Sequence, residues 1–168
     1  ENSPLNRILQ QAAPGSSWAL GSGHEIKMDY LTNGQNEVKI YKVTAQWQGL
    51  QGLYVPVLTL PVGAQGFYTA GQLYKTVTKD ENWAPDPAYW PSNPKHTTEE
   101  FKDKEGRIVL KRTYATTIVE DETRIAQLNT YYAYDQFGNL SFVITPEVSA
   151  ATQPQLDGLC YQYRYDRR

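Results

Sequence analysis

Residues 132–140 have the sequence Tyr132-Ala133-Tyr134-Asp135-Gln136-Phe137-Gly138-Asn139-Leu140, in which two alternating tyrosines lead into a tight turn. Asp135 at the first turn position can accept hydrogen bonds from the turn backbone. Gly138 at the fourth position accepts the positive φ that ends a type I turn in a bulged hairpin. The segment therefore predicts two antiparallel strands joined at this turn.

The same turn chemistry recurs along the chain. Residues 103–108 repeat it, with Asp103 and Gly106 at the first and fourth positions. Weaker copies begin at residues 3, 33 and 68, and a further turn begins at Asp166. Successive turns therefore lie 30 to 35 residues apart. Such a period predicts a repeat architecture built from hairpins.

Composition also favours β structure. The 168 residues include 13 Tyr and 4 Trp but one Met, and tyrosine suits half-exposed strands. A net charge of −2 gives no electrostatic basis for nucleic-acid binding. No apolar run of about 18 residues exists, so the sequence predicts no membrane-spanning segment. Cys160 is the single cysteine, which leaves the redox compartment open.

Alternation and turn residues predict the strands. We expect a hairpin of strands 24–31 and 37–45 around Asn33-Gly34. Further strands are expected at 54–59, 73–78, 97–102, 107–115, 128–134, 140–145 and 160–165. Pro56 indicates an edge or a bulge, because proline lacks the ladder donor. We favour strand over a capped helix for residues 5–13, and a helical turn for 153–159.

Candidate catalytic groups are sparse. His24, His96 and Cys160 lack the spacing of a zinc site, so no metal or other cofactor is predicted. Acidic clusters at 80–81, 99–100 and 120–122 contain the residue type that hydrolyses glycosides. They lie beside turns or at polar strand ends, which favours solvated charge, and Cys160 is expected to pack in the interior. We therefore expect no catalytic residues and no enzyme.

Aromatic residues give the one indication of ligand contact. Tyr161, Tyr163 and Tyr165 alternate, so they project from one face of a strand, as do Tyr132 and Tyr134. Such ladders can stack on sugars, but we favour packing against the next repeat. Residues 82–96 hold four prolines and form a predicted long loop. Its aromatic residues are the candidates for glycan or partner contact: Trp83, Tyr89 and Trp90.

Residues 132–140 and 161–166 resemble the tyrosine-aspartate (YD) repeats of the Rhs family, which includes teneurins and Tc toxin shell proteins. Residues 98–112, 3–8 and 14–18 resemble the variant found in Rhs-type proteins of Bacteroidetes. Phe101-Lys102-Asp103 departs from the tyrosine-aspartate pair. The resemblance implies hairpins that wind into a spiralling sheet, which closes into a hollow shell around a C-terminal toxin. The turn residues it covers are Asp103, Gly106, Tyr132, Tyr134, Asp135, Gly138, Asn139, Tyr163, Tyr165 and Asp166.

The leading prediction is an all-β, non-enzymatic segment of an Rhs-type shell from a secreted or surface-exposed bacterial protein. Residues 1–168 are then one repeat region of a larger protein, degenerate over 1–96 and clearer over 97–168. Expected partners are the rest of the shell, an enclosed toxin or export machinery. Two alternatives remain open: a carbohydrate- or protein-binding surface module, and an enzyme whose residues converge from distant turns.

Overall fold

The structure is a computed structural model that describes residues 6–60, 66–89, 93–119, 122–148 and 151–167. The all-β prediction is confirmed. The described residues form ten strands: β1 (Gln10–Gln11), β2 (Ile26–Thr32), β3 (Lys42–Gln48), β4 (Leu53–Thr59), β5 (Tyr74–Lys79), β6 (Thr97–Lys102), β7 (Ile108–Val119), β8 (Glu122–Tyr134), β9 (Leu140–Ile144) and β10 (Cys160–Gln162). A short helix, α1 (Gln153–Leu159), precedes β10, and single 3-10 turns occur at Ser16–Trp18 and Pro87–Tyr89.

The strands form two sheets in the part of the chain that the structure describes. Eight strands lie in the order β1-β2-β5-β6-β7-β8-β9-β10, and β3 and β4 form a separate pair. From β6 onward each strand lies beside its predecessor in the chain. The antiparallel register places Tyr131 opposite Ile144 between β8 and β9, and Val43 opposite Leu58 between β3 and β4. Tight turns join β6 to β7 and β8 to β9, whereas the long loop leads into β6 and the segment that contains α1 leads into β10.

The chain divides into two compact units. The first comprises residues 1–31, 75–100 and 112–128, and the second comprises residues 32–74, 101–111 and 129–168. The second unit contains a continuous apolar core formed by Val38, Val43, Leu73, Phe101, Val109, Leu110, Tyr131, Ala133, Phe142 and Ile144. Within it, the rings of Tyr41 and Tyr131 lie 4.8 Å apart at a tilted angle that is favourable for aromatic pairs.

The predicted hairpin at Asn33-Gly34 is wrong, because β2 lies between β1 and β5 whereas β3 pairs with β4. Asn33 is only 2% exposed, and its side chain determines the path. Its Oδ1 accepts a hydrogen bond from Leu73 N at 2.8 Å, and its Nδ2 donates to Thr69 O at 2.9 Å. Asn33 therefore fixes the end of β2 to residues far along the chain, and the intervening segment carries β3 and β4.

The strand at 54–59 is confirmed as β4, and its Pro56 lies at an edge. Pro56 faces Ala45 in the antiparallel register, and among the described residues β4 pairs with β3 and otherwise makes an isolated bridge from Tyr54 to Tyr165. Ala45 N and Ala45 O bond to the side chain of Gln136 and not to Pro56. The β3–β4 ladder therefore needs no N–H at Pro56.

The remaining element predictions differ from the structure mainly in length. Strands at 73–78, 97–102 and 140–145 and the helical turn at 153–159 are confirmed to within one residue. β7 and β8 extend beyond the predicted 107–115 and 128–134, and the last strand ends at Gln162 rather than at 165. Over 6–13 the chain contains the short strand β1 and no helix. The described residues of 82–96 contain no strand, and residues 90–92 lie outside the described part of the chain.

Candidate functional site

The turn between β8 and β9 is closed by the carboxylate of Asp135. Asp135 Oδ1 accepts hydrogen bonds from the backbone N–H groups of Phe137 and Asn139, each at 2.9 Å. Gly138 N donates to Asp135 O at 3.0 Å, and Asp135 N donates to Asn139 O at 2.9 Å. Gly138 has φ 85, a conformation that glycine adopts without steric cost. The turn is thus fixed entirely by residues within five positions.

The turn between β6 and β7 has the same bonds. Asp103 Oδ1 accepts from Glu105 N at 3.0 Å and from Arg107 N at 2.9 Å. Gly106 N donates to Asp103 O at 3.0 Å, and Gly106 has φ 81. Two turns 32 residues apart therefore share one hydrogen-bond pattern, atom for atom.

The two turns also lie side by side. Arg107 Nη1 lies 3.4 Å from the point that a Cβ atom at Gly138 would occupy. Arg107 Nε donates to Asp103 Oδ2 at 2.8 Å, and its guanidinium lies 4.9 Å from the Tyr134 ring centroid. Burial opposes the charge of Arg107, but the hydrogen bond to Asp103 and the negative charges of Asp103 and Glu105 together outweigh burial and raise the pKa of Arg107. Tyr134 OH donates to Ile108 O at 2.9 Å, which links β8 to the start of β7.

Gln136 connects the Asp135 turn to the β3–β4 pair. Its Oε1 accepts from Ala45 N at 2.8 Å, and its Nε2 donates to Ala45 O at 3.0 Å. The side-chain amide therefore bonds to both backbone groups of one buried residue. The sequence did not predict this role, because the partners are 91 positions apart and no local pattern links them.

The predicted tyrosines near the end of the chain are held by backbone bonds. Tyr163 N donates to Ser141 O at 2.9 Å, and Tyr165 OH donates to Leu140 O at 2.6 Å. Tyr165 O accepts from Tyr54 N at 2.7 Å, which attaches the final segment to β4. Tyr132, by contrast, is half-buried on β8. These contacts are structural within the second unit.

A row of three aromatic rings that we did not predict from the sequence lies beside this segment. The rings of Trp47 and Tyr54 are 5.1 Å apart, and those of Tyr54 and Phe137 are 5.6 Å apart. Arg167 lies 3.9 Å above the Trp47 ring. A cavity of about 410 Å³ is bordered here by Tyr54, Phe137 and Asp166, among others. Its signal in the sequence was the pair of aromatic residues that flank the Gly49–Gly52 turn.

The aromatic residues of the 82–96 loop contact the protein itself. Trp83 Nε1 donates to Asn93 O at 2.9 Å, and Lys79 Nζ lies 4.4 Å from a Trp83 ring centroid. Lys95 Nζ lies 4.8 Å from the Tyr89 ring centroid. Trp90 lies outside the described residues. Trp83 and Tyr89 thus take part in cation–π contacts within the first unit.

The prediction that the acidic cluster at 99–100 carries solvated charge is wrong for Glu99, which is buried. It is 8% exposed, and it accepts from Lys75 Nζ and Arg112 Nη1, each at 3.1 Å. Burial, together with the nearby charge of Glu99, raises the pKa of Tyr114 to about 12. The signal available in the sequence was alternation, because Glu99 shares a strand face with the fully buried Phe101.

The two histidines and the cysteine make separate contacts and do not form a common site. His24 Nδ1 lies 3.1 Å from Glu81 O, and His96 Nδ1 lies 3.3 Å from Asp80 Oδ2. Cys160 is only partly buried against the core of the second unit, and burial raises its pKa. Across the described ranges, no group of three or more His, Cys, Asp or Glu residues could hold a metal ion.

The helices of the described residues do not meet the requirements for crossing a membrane. None of the helices in that part of the chain combines the length and the apolar character needed to cross a bilayer.

Comparison with known proteins gives one partial match. The family model described as a domain of unknown function, DUF6443, matches residues 1–32. No curated protein and no solved structure matches the chain. The matched residues end at the last residue of β2.

Proposed function

We propose that the chain is a non-enzymatic structural module, a segment of the β-wall of an Rhs-type shell in a secreted or surface-exposed bacterial protein. The observation that carries the proposal is the pair of turns at Asp103 and Asp135. They have the same hydrogen bonds, lie next to each other, and join successive pairs of strands in a meander. A repeated hairpin of this kind is the unit from which a continuous wall can grow.

The proposed mechanism is mechanical. Backbone ladders between antiparallel neighbours supply the wall, and each Asp–Gly turn sets where a strand reverses. Arg107 ties one turn to the next, because it bonds to Asp103 and lies against the Tyr134 ring and Gly138. The expected partners are the remaining hairpins of the shell, an enclosed toxin or effector, and export machinery.

Electron microscopy of the complete natural protein tests this proposal. We expect these 168 residues to lie in a curved β-wall that surrounds a closed cavity. A solid particle without a cavity, or a cavity whose wall excludes these residues, would contradict it. Proteolysis provides a second readout, because the residues on the inner surface of a shell should be protected until the wall is opened with denaturant.

The alternative, a surface module that contacts glycan or protein through Trp83, Tyr89 and Trp90, stays a prediction. The lysine contacts of Trp83 and Tyr89 would have to open before a sugar could stack on the covered faces. A glycan array combined with tryptophan fluorescence titration separates the two functions. If the chain binds sugar through this loop, the sugar should quench tryptophan fluorescence saturably, and Trp83→Phe should abolish that quenching. A wall segment should show no such quenching.

A further inference from the structure

A polar cleft of about 360 Å³ lies within the first unit. It is bounded by the end of β5, the start of β6, the middle of β7, one residue of β8 and the last residues of the 82–96 loop. The lining residues are Thr78, Asp80, Lys95, His96, Thr97, Thr98, Thr113, Tyr114, Ala115, Thr116 and Ile125. Its volume falls within the range of about 300–1,000 Å³ that is typical of small-molecule sites.

An imidazole–carboxylate pair stands at the cleft. His96 Nδ1 lies 3.3 Å from Asp80 Oδ2, and both side chains are about half exposed. His96 has φ 59, a left-handed conformation that is uncommon outside glycine. The bond from Asp80 N to His96 O, at 2.9 Å, holds this backbone in place. This backbone bond and the His96–Asp80 side-chain contact together place the imidazole beside the carboxylate.

The cleft also contains threonine hydroxyl groups that make no hydrogen bond within the described part of the chain. Within that part of the chain, the side chains of Thr78, Thr98 and Thr113 have no hydrogen-bond partner. They lie on three adjacent strands, β5, β6 and β7. Each hydroxyl offers one donor and two acceptor positions, and each methyl group offers apolar surface. Thr97 differs, because its hydroxyl donates to Pro94 O at 2.6 Å.

The charges of the lining indicate a neutral ligand. The Asp80 carboxylate opposes the approach of an anion. Lys95, the cation that could counter it, lies 3.6 Å from Asp86 Oδ2 and 4.8 Å from the Tyr89 ring centroid. The lining thus combines hydrogen-bond donors and acceptors with the apolar side chains of Ala115 and Ile125.

We propose that this cleft binds a neutral saccharide of one or two rings. A pyranose ring carries hydroxyl groups that both donate and accept, together with C–H surface that suits threonine methyl groups. The Asp80–His96 pair would bond to adjacent sugar hydroxyls, and the threonines would complete the shell of hydrogen bonds. This goes beyond the wall function, since a wall segment needs no ligand, and it lies apart from the tryptophan loop of the alternative.

An NMR titration of the full chain tests the proposal, with a panel of neutral mono- and disaccharides as the probes. A shallow, half-exposed site predicts weak binding, with Kd on the order of 1 mM. We expect saturable amide shifts confined to residues 78–80, 96–98 and 113–116. Thr98→Val should weaken binding about fivefold, the effect of one hydrogen bond, because valine keeps the shape and the strand preference.

Two further variants provide the controls. Thr76→Val makes the same chemical change on β5 outside the lining, and it should leave the Kd unchanged. His96→Asn keeps a residue that tolerates positive φ but removes the imidazole, and it should weaken binding without unfolding the loop. Absence of saturable shifts with every sugar would overturn the proposal. So would equal effects of Thr98→Val and Thr76→Val, or stronger binding of sulfate than of sugars at the same residues.

Discussion

Valine in place of Gly138 tests the turn on which the proposed wall depends. Gly138 has φ 85, where a side chain with a Cβ atom is strained, and a β-branched residue most of all. A Cβ atom there would lie 3.4 Å from Arg107 Nη1, the mobile end of a partly exposed side chain, so steric conflict adds little. We expect Gly138→Val to lower the free energy of unfolding by about 2 kcal/mol.

Urea denaturation followed by circular dichroism measures this loss, and the slope of the transition should stay constant. For a chain of this length, about 2 kcal/mol corresponds to a Tm lower by about 4–8 °C. Gly106→Val should cost the same, because φ is 81 and the space around it is open. Gly138→Asn should cost about 0.5 kcal/mol, since asparagine tolerates this conformation.

Gly158→Ala is the matched control, because it adds a Cβ atom to a glycine of α1 that lacks positive φ and has open space. It should stabilise the protein by about 0.5 kcal/mol through helix propensity. Equal losses for the valine and asparagine variants of Gly138 would refute the conformational argument. So would a loss of less than about 0.5 kcal/mol for Gly138→Val.

Three other measurements test the interior. Burial raises the pKa of Tyr41 from 10.0 to about 12, so its contribution to stability is full below about pH 10 and is lost as pH rises from 10 to 12. Tyr41→Phe should make the urea midpoint fall less steeply over this pH range. An unchanged dependence of the midpoint on pH would contradict this reasoning. Glu99→Gln breaks two buried ion pairs and should cost about 3 kcal/mol in urea denaturation, whereas a loss below about 1 kcal/mol would count against it. Gln136→Ala leaves Ala45 N and O unpaired and should cost about 2 kcal/mol in the same assay, while Gln35→Ala, at an exposed site, should change nothing.

The sequence was sufficient where the determinants of structure are local. The turns at Asp103 and Asp135 depend on residues within five positions, so their chemistry could be inferred from residue type alone. The strands at 97–102 and 140–145 followed from simple alternation. The all-β class therefore needed no tertiary information.

The sequence was insufficient where a side chain chooses a distant partner. Asn33-Gly34 has the composition of a hairpin turn, yet the amide of Asn33 bonds to Thr69 and Leu73 instead. Glu99 stands in a polar run, but it is paired with Lys75 from a neighbouring part of the sheet. The cleft at Asp80 was equally hidden, because it depends on threonines that three separate strands bring together.

The bond between Gln136 and Ala45 has a consequence for the order of folding during synthesis. The ribosome must add 91 residues after Ala45 before Gln136 exists, which takes roughly 5–18 s at about 5–20 residues per second. The β3–β4 pair is complete once Thr59 has been added, and for the rest of that interval the N–H and C=O groups of Ala45 lack their bonds to Gln136. A two-stranded hairpin is marginal on its own, and its unpaired edges favour association, so this pair needs protection until Gln136 is added.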